Sequence, residues 1–245
     1  MRSANAASTS SKLPPDLERD YREFESALAA GVGGAGAGGA RDEWGATGAL
    51  NTSESLGLLQ RYGRLVHDSS ASLALISDGD RSTVYTRHVL DSLNPITLFD
   101  APPASALDIG SGAGFPGIPL AIAWPKTAVV LLESRAKKAG FLERAARELG
   151  LKNVRVVCAR LEDEAMDWRV TGPADTVFVR AVGDLPHILG HARARVRAGA
   201  TWAYFLGAGS DGAPTLAALA VAGFEARVAP GLFGGRLLTG RFPAS

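Results

Sequence analysis

The chain has 245 residues, with 26 Lys+Arg against 25 Asp+Glu and a formal net charge of +1. It is therefore no global polycation, and any nucleic-acid contact is confined to a local patch. The single cysteine, Cys158, excludes a disulfide framework and a cysteine-rich zinc site, and no metal site is expected. No apolar run reaches bilayer length, and Met1-Arg2-Ser3-Ala4-Asn5 lacks the apolar core of a secretory signal. A cytoplasmic protein without membrane contact is the expectation.

Residues up to Lys12 are Ser/Ala-rich and read as disordered. Leu17, Tyr21, Phe24 and Leu28 recur on one face of a possible helix from Leu13 to Leu28. The stretch Ala29–Ala40 holds nothing larger than valine and reads as a flexible, dispensable linker, so a chain starting near Asp42 is expected to fold and bind its ligand. Thr52 or Ser53 caps a second helix, on which Leu56, Leu59, Tyr62, Gly63 and Val66 recur at helical spacing. A short helix is expected from Val84 to Leu93. The division is 1–50 as a disordered, low-complexity extension, 51–100 as a helical cap, and 101–245 as the main domain.

From Ala104 strands and helices alternate. Strands are expected at Leu107, Ala128–Leu132, Val154–Cys158, Thr176–Val179 and Trp202–Leu206, with Cys158 at a buried position. Helices follow to Trp124, over Ala136–Gly150, Leu185–Val196 and Ala213–Ala222. Glu225–Val228 and Arg236–Phe242 read as a terminal hairpin. This order predicts a mostly parallel sheet with helices on both faces and a ligand at the carboxyl ends of the central strands.

The organising stretch is Asp108-Ile-Gly-Ser-Gly-Ala-Gly-Phe-Pro-Gly-Ile-Pro. An apolar run enters it, glycines alternate at Gly110, Gly112 and Gly114, and Pro116 opens a helix. The next strand ends at Glu133, a carboxylate suited to two ribose hydroxyls. Gly112-x-Gly114-x-x-Gly117 fits the dinucleotide fingerprint. Gly110-x-Gly112-x-Gly114 with Asp108 before it fits the loop of enzymes using S-adenosyl-L-methionine (SAM). In the first register Phe115 and Pro116 crowd a pyrophosphate, so SAM is favoured. The terminal hairpin also favours the methyltransferase version of the sheet. The plainest alternative is a strand–turn–helix corner without a ligand.

Arg87-His88-Val89-Leu90-Asp91-Ser92, the glycine loop, Lys137-Lys138 with Phe141-Leu142, and Arg180-Ala181 together resemble the RsmG (GidB) family of bacterial rRNA methyltransferases. The resemblance spans roughly Leu50 to the C-terminus. It implies a Rossmann-like class I SAM-dependent methyltransferase fold with a seven-stranded sheet and an N-terminal helical extension. It also implies transfer of a methyl group to guanine N7 of 16S rRNA in the 30S subunit, by a monomer that binds neither DNA nor membrane.

By resemblance, Gly110, Phe115, Glu133, Leu161 and Glu162 line the SAM pocket, joined by Asp108 and Gly112 beneath the methionine end. Arg180 serves both cofactor and catalysis. Arg87, His88, Lys137 and Lys138 are expected at the RNA. Three plainer readings stand beside these: an Arg180–Asp184 ion pair, a solvated acidic helix start at Glu162, and an i,i+3 pair of His88 with Asp91. Arg180 is expected to be an exposed cleft residue whose removal barely affects stability. Arg193, Arg195 and Arg197 are assigned to a helix end.

The chain departs from the family pattern at Ala74-Leu75-Ile76 (usually Asn-Leu-Thr), at Ser69-Ser70 (Trp-Asn), at Gly207 (Lys) and at Arg236-Leu237 (Arg-His). A SAM enzyme that has drifted to another substrate, and a non-catalytic rRNA-binding assembly factor, are therefore the alternatives.

Overall fold

The strands of the computed structural model, which describes residues 13–35, 50, 52–163, 172–181, 183–207 and 209–243, follow the expected alternation. They are β1 (Ser105–Ile109), β2 (Ala128–Leu132), β3 (Val154–Val157), β4 (Ala174–Val179), β5 (Val196–Phe205), β6 (Arg227–Pro230) and β7 (Arg236–Arg241). They form one sheet in the order β3-β2-β1-β4-β5-β7-β6. Strands β1 to β5 pair in parallel, and β7 lies antiparallel between β5 and β6.

Successive side chains of a strand face opposite ways, so a sheet covered on both sides must be apolar at every position. The central strands follow this except at the buried polar residues Asp108 and Thr176. Ala106, Leu131 and Phe178 face one core, while Leu107, Val130 and Val177 face the other. Helices α1 (Pro15–Ala35), α2 (Ser53–Leu73), α3 (Gly117–Ala123) and α4 (Ala136–Leu149) cover the first core. Helices α5 (Leu185–Ala192) and α6 (Ala213–Val221) cover the second.

Thr52 caps α2, its hydroxyl accepting from the Ser55 N–H at 3.1 Å. At the other end of α2, Ala74 takes a left-handed conformation (φ 46°, ψ 52°) and donates its N–H to Ser70 O at 3.0 Å. An L-residue with a Cβ is strained there, and asparagine, found at this position in the family pattern, tolerates it better. The exposed substitution Ala74→Asn is expected to raise the melting temperature by about 2–4 °C, the equivalent of about 1 kcal/mol. Calorimetric melting measures this, and an unchanged or lowered value would refute the strain.

Several expectations need correction. Residues 13–35 are not part of a disordered extension. Leu17, Tyr21, Phe24 and Leu28 are buried in the same core as Leu59, Tyr62 and Tyr85. Nor is Ala29–Ala35 a linker, because it continues α1. Small residues there allow close approach: a Cβ on Gly31 would collide with the Phe233 ring. The rest of the stretch, 36–40, lies outside the described residues, as do residues 1–12. A chain beginning at Asp42 would lose α1 from the core.

Cys158 stands one residue past β3 and is exposed, because β3 is an edge strand. α5 ends at Ala192, and a tight turn follows over Arg193–Arg195. Arg197 belongs to β5 and pairs with Asp175 at 2.7 Å. The segment expected as one helix from Val84 to Leu93 is a wide π-helical turn, Tyr85–Val89, running into a single α turn, Leu90–Ser92.

Candidate functional site

The chain leaves β1 for β2 on one side and returns to β4 on the other, so a crevice opens at the carboxyl ends of β1 and β4. The glycine loop fills its floor. Gly110, Gly112 and Gly114 all have positive φ (71°, 57° and 102°), which only glycine adopts without strain. Tyr62 of α2 secures the loop from behind, donating to Ala113 O at 2.8 Å and packing edge-on to Phe115.

Asp108 is wholly buried under the loop. Its Oδ2 accepts from the Gly117 N–H at 3.1 Å, while Oδ1 is buried with no partner. Burial raises its carboxyl to about 7, against the opposing pull of hydrogen bonds from Ser111 and Gly117 and of the Arg180 charge; Glu133 adds to the rise. The folded state thus holds this proton above the unfolded value of 3.8. Ionising Asp108 costs stability, which falls as the pH rises through that interval. In Asp108→Asn that slope should vanish, so the variant gains stability relative to wild type from pH 5 to about pH 7. Melting curves across this range measure the difference, and parallel curves would refute it.

Glu133, immediately after β2, is also buried. Its Oε2 accepts from the Gly112 N–H at 2.9 Å and its Oε1 from the Arg135 N–H at 2.8 Å. A carboxylate offers about four lone-pair sites, so each oxygen keeps one for a further donor. These residues fit SAM: Glu133 would take the ribose hydroxyls, while the buried Asp108 orders the loop from beneath through the Gly117 N–H. Leu161 is buried beyond β3, and Glu162 is exposed with its Oε1 3.6 Å from His187 Nε2.

Arg180 follows β4, and neither the exposed cleft position nor the Asp184 pair expected for it is found. Its side chain is only 15% exposed, and its partner is Asp91, at 2.7 Å, not Asp184. Asp184 instead caps α5 by accepting from the His187 N–H. Nη1 of Arg180 donates to His88 O and Ser92 Oγ, and Nη2 to Arg87 O, each at 3.3 Å. The guanidinium lies over the rings of Phe115 and Phe205. Asn94, also buried, donates to Asp91 Oδ1 at 2.7 Å and leaves Oδ2 for the arginine.

His88 is not an exposed cation, nor is it the partner of Asp91. Its ring stacks on Phe115 at 5.2 Å. Burial first, then the Arg180 charge, lowers it to about 4 despite Asp80, so the ring is neutral at neutral pH. Arginine only donates, so Nδ1, 3.4 Å from Arg180 Nη2, is the accepting nitrogen. The proton then sits on Nε2, facing Asp80 Oδ2 at 3.5 Å.

Arg87 is exposed and pairs with Asp80 at 2.7 Å. Lys137 is exposed and Lys138 half-buried on the first turn of α4, at the same end of the sheet as the loop. Sequence reasoning missed Tyr62, Asp80 and Asn94 as parts of this site and treated Asp91 only as a partner of His88. The Arg-His-x-Leu-Asp-Ser segment was the available signal for Asp91.

The sheet order, the antiparallel β7, the glycine loop after β1 and the acid after β2 are those of the class I SAM-dependent methyltransferases. The family model described as GidB, rRNA small subunit methyltransferase G, matches residues 55–211, and the chain belongs to that family.

The chain is 48% identical over 114 residues to ribosomal RNA small subunit methyltransferase G of Solibacter usitatus, covering 46% of this chain and 52% of the relative. It is 36% identical over 158 residues to the protein of that name from Carboxydothermus hydrogenoformans, covering 64% and 67%. With that of Roseiflexus castenholzii it shares 36% over 162 residues, covering 66% and 69%. The chain thus spans about half the length of the Solibacter relative. Helix α1 and strands β6 and β7 lie outside the matched region.

Proposed function

We propose that this chain transfers a methyl group from SAM to guanine N7 of 16S rRNA in the 30S subunit. The observation that carries the reading is the arginine cradle at the mouth of the glycine-loop crevice, in a chain of this family. When bound, SAM supplies a methyl group on a positively charged sulfur. Guanine N7 attacks with a lone pair and has no proton to lose, so the site needs no general base.

Positioning then carries the rate, a contribution of up to about 7–11 kcal/mol. Arg180 orients the base through its O6 edge. A cation beside a purine that is gaining charge would oppose the reaction, but the Asp91 carboxylate neutralises Arg180, and His88 carries no charge. Arg87, Lys137 and Lys138 contact phosphates, giving salt-dependent attachment without base readout.

A cytoplasmic monomer is consistent with the surface. Among the described residues only Val221 and Val228 are large exposed hydrophobics, and no helix is long and apolar enough to cross a membrane. One observation favours a shifted substrate: Gly207, exposed after β5, stands where the family pattern has lysine.

The test is incubation with labelled SAM and 30S particles lacking the modification, with free 16S rRNA and DNA in parallel. Label in the 30S sample is expected. Label in none, with S-adenosylhomocysteine still bound, would leave an assembly factor; label in the DNA sample and not in the 30S sample would show a drifted substrate.

A further inference from the structure

We infer that Asp20, on a helix outside the family-matched region, is a positioning residue for the proposed transfer: it fixes the turn that holds the Arg180 guanidinium. The inference rests on the function proposed above. Asp20 is a buried carboxylate on α1, 4% exposed, and such a group is costly unless its lone pairs are used. They are used on one segment. Asp20 accepts from the Tyr85 N–H at 2.7 Å, the Thr86 N–H at 3.2 Å and the Thr86 hydroxyl at 2.5 Å.

Those N–H groups open the Tyr85–Val89 turn, where a helical segment has donors without partners and favours negative charge. Val84, the local cap position, makes no side-chain cap hydrogen bond, so the cap is supplied from 65 residues away. The same turn then delivers the groups that hold Arg180: the carbonyls of Arg87 and His88, and after them Asp91 and Ser92 Oγ. It also sets His88 flat on Phe115 of the glycine loop. Asp20 touches neither Arg180 nor the loop, and acts on both through the turn. Tyr21, the next residue, packs edge-on to Tyr85 at 5.0 Å and aligns the same contact. A buried charge is a poor source of stability compared with apolar packing, and its use here suits fixing one geometry.

The test uses the full chain with Asp20→Asn. The amide keeps one accepting oxygen, but its NH2 cannot accept, so at least one of the three hydrogen bonds is lost. The expected result has three parts. The affinity for S-adenosylhomocysteine stays within about twofold, because Glu133 and Asp108 keep their own hydrogen bonds to the loop and Phe115 loses only one stacked neighbour. The His88 midpoint followed by NMR rises by about one unit or more towards its ordinary 6.5, as the ring leaves Phe115. Single-turnover methylation of saturating 30S particles falls about tenfold or more while KM changes little, the pattern of a lost transition-state geometry.

A wild-type His88 midpoint in the folded variant would overturn the inference. So would loss of S-adenosylhomocysteine binding in step with turnover, which would mean that Asp20 only holds the fold. If Asp20→Asn does not fold, Thr86→Val removes one of the three hydrogen bonds and should raise the midpoint by a smaller amount; an unchanged midpoint there would also overturn it. If wild type itself transfers no methyl group, the proposed function fails, and the His88 measurement still decides the role of Asp20.

Discussion

Arg180→Ala is expected to depress methyl transfer by about a hundredfold to a thousandfold, the usual effect of losing one preorganised donor. The same substitution should destabilise the fold by about 2–3 kcal/mol. Breaking a fully buried ion pair costs about 3–5 kcal/mol, but Asp91 is 34% exposed and water screens part of the loss. The remaining cost is real because the Asp91 pair, the carbonyls of Arg87 and His88, the Ser92 hydroxyl, His88 Nδ1 and the faces of Phe115 and Phe205 are all lost together. Affinity for S-adenosylhomocysteine should fall much less than turnover, since Glu133 and Asp108 keep their hydrogen bonds and Tyr62 still packs on Phe115. Arg180→Lys keeps the charge but not the planar fork, and should recover stability more than turnover. Melting temperature and single-turnover rate, measured on the same samples, check both effects. Normal stability with lost turnover would restore the picture of an exposed cleft arginine.

Gly114→Ala is expected to be strongly damaging, because it joins backbone strain to a clash in the crevice. The backbone sits at φ 102°, and a Cβ there would lie 2.7 Å from Ile118 Cγ1, 2.9 Å from the Tyr62 hydroxyl and 3.0 Å from Leu142 Cδ2. Two penalties add: the left-handed strain of an L-residue, and overpacking among buried side chains. Together they should cost about 3 kcal/mol or more. Displacing Tyr62 also releases Ala113 O and the Phe115 ring, so S-adenosylhomocysteine affinity should fall by about a hundredfold, as expected when a preorganised site is lost. Gly112→Ala is the control. Its Cβ would meet nothing closer than Gly110 O at 3.8 Å, leaving only conformational strain of about 1–2 kcal/mol. Calorimetric titration measures the affinity. Thermal melting of the two variants separates packing from strain, and equal losses of stability in both would show that packing is unimportant.

The contrast between what the sequence disclosed and what it hid follows the range of the interactions. The glycine loop was legible because Asp108, three alternating glycines and Glu133 lie close in the chain and answer to one backbone requirement. The terminal hairpin was legible because two extended runs have no helical run between them. The arginine cradle was not legible beyond the family resemblance, because Arg180 meets its partners 88 to 93 residues away. No local spacing encodes such a contact.

Composition misled at Ala29–Ala35 for a related reason. A run without large side chains cannot anchor itself, yet at Gly31 it accepts the ring of Phe233 from the far end of the chain. The charge of His88 was misjudged because a histidine beside an arginine in sequence suggests a basic patch, whereas folding puts it between Phe115 and Asp80. Likewise, an apolar strand ending in cysteine suggests burial, but its position at the sheet edge leaves Cys158 exposed.

The most direct measurement is nucleoside analysis by mass spectrometry of 16S rRNA from 30S particles treated with this protein and labelled SAM. The expected product is 7-methylguanosine at a single position, formed by wild type and by Ala74→Asn but greatly reduced in Arg180→Ala. A methyl group on an atom that must lose a proton, such as guanine N1, an exocyclic amine or a ribose hydroxyl, would contradict a site that works without a general base. Equal product from wild type and Arg180→Ala would contradict the role given to the arginine cradle.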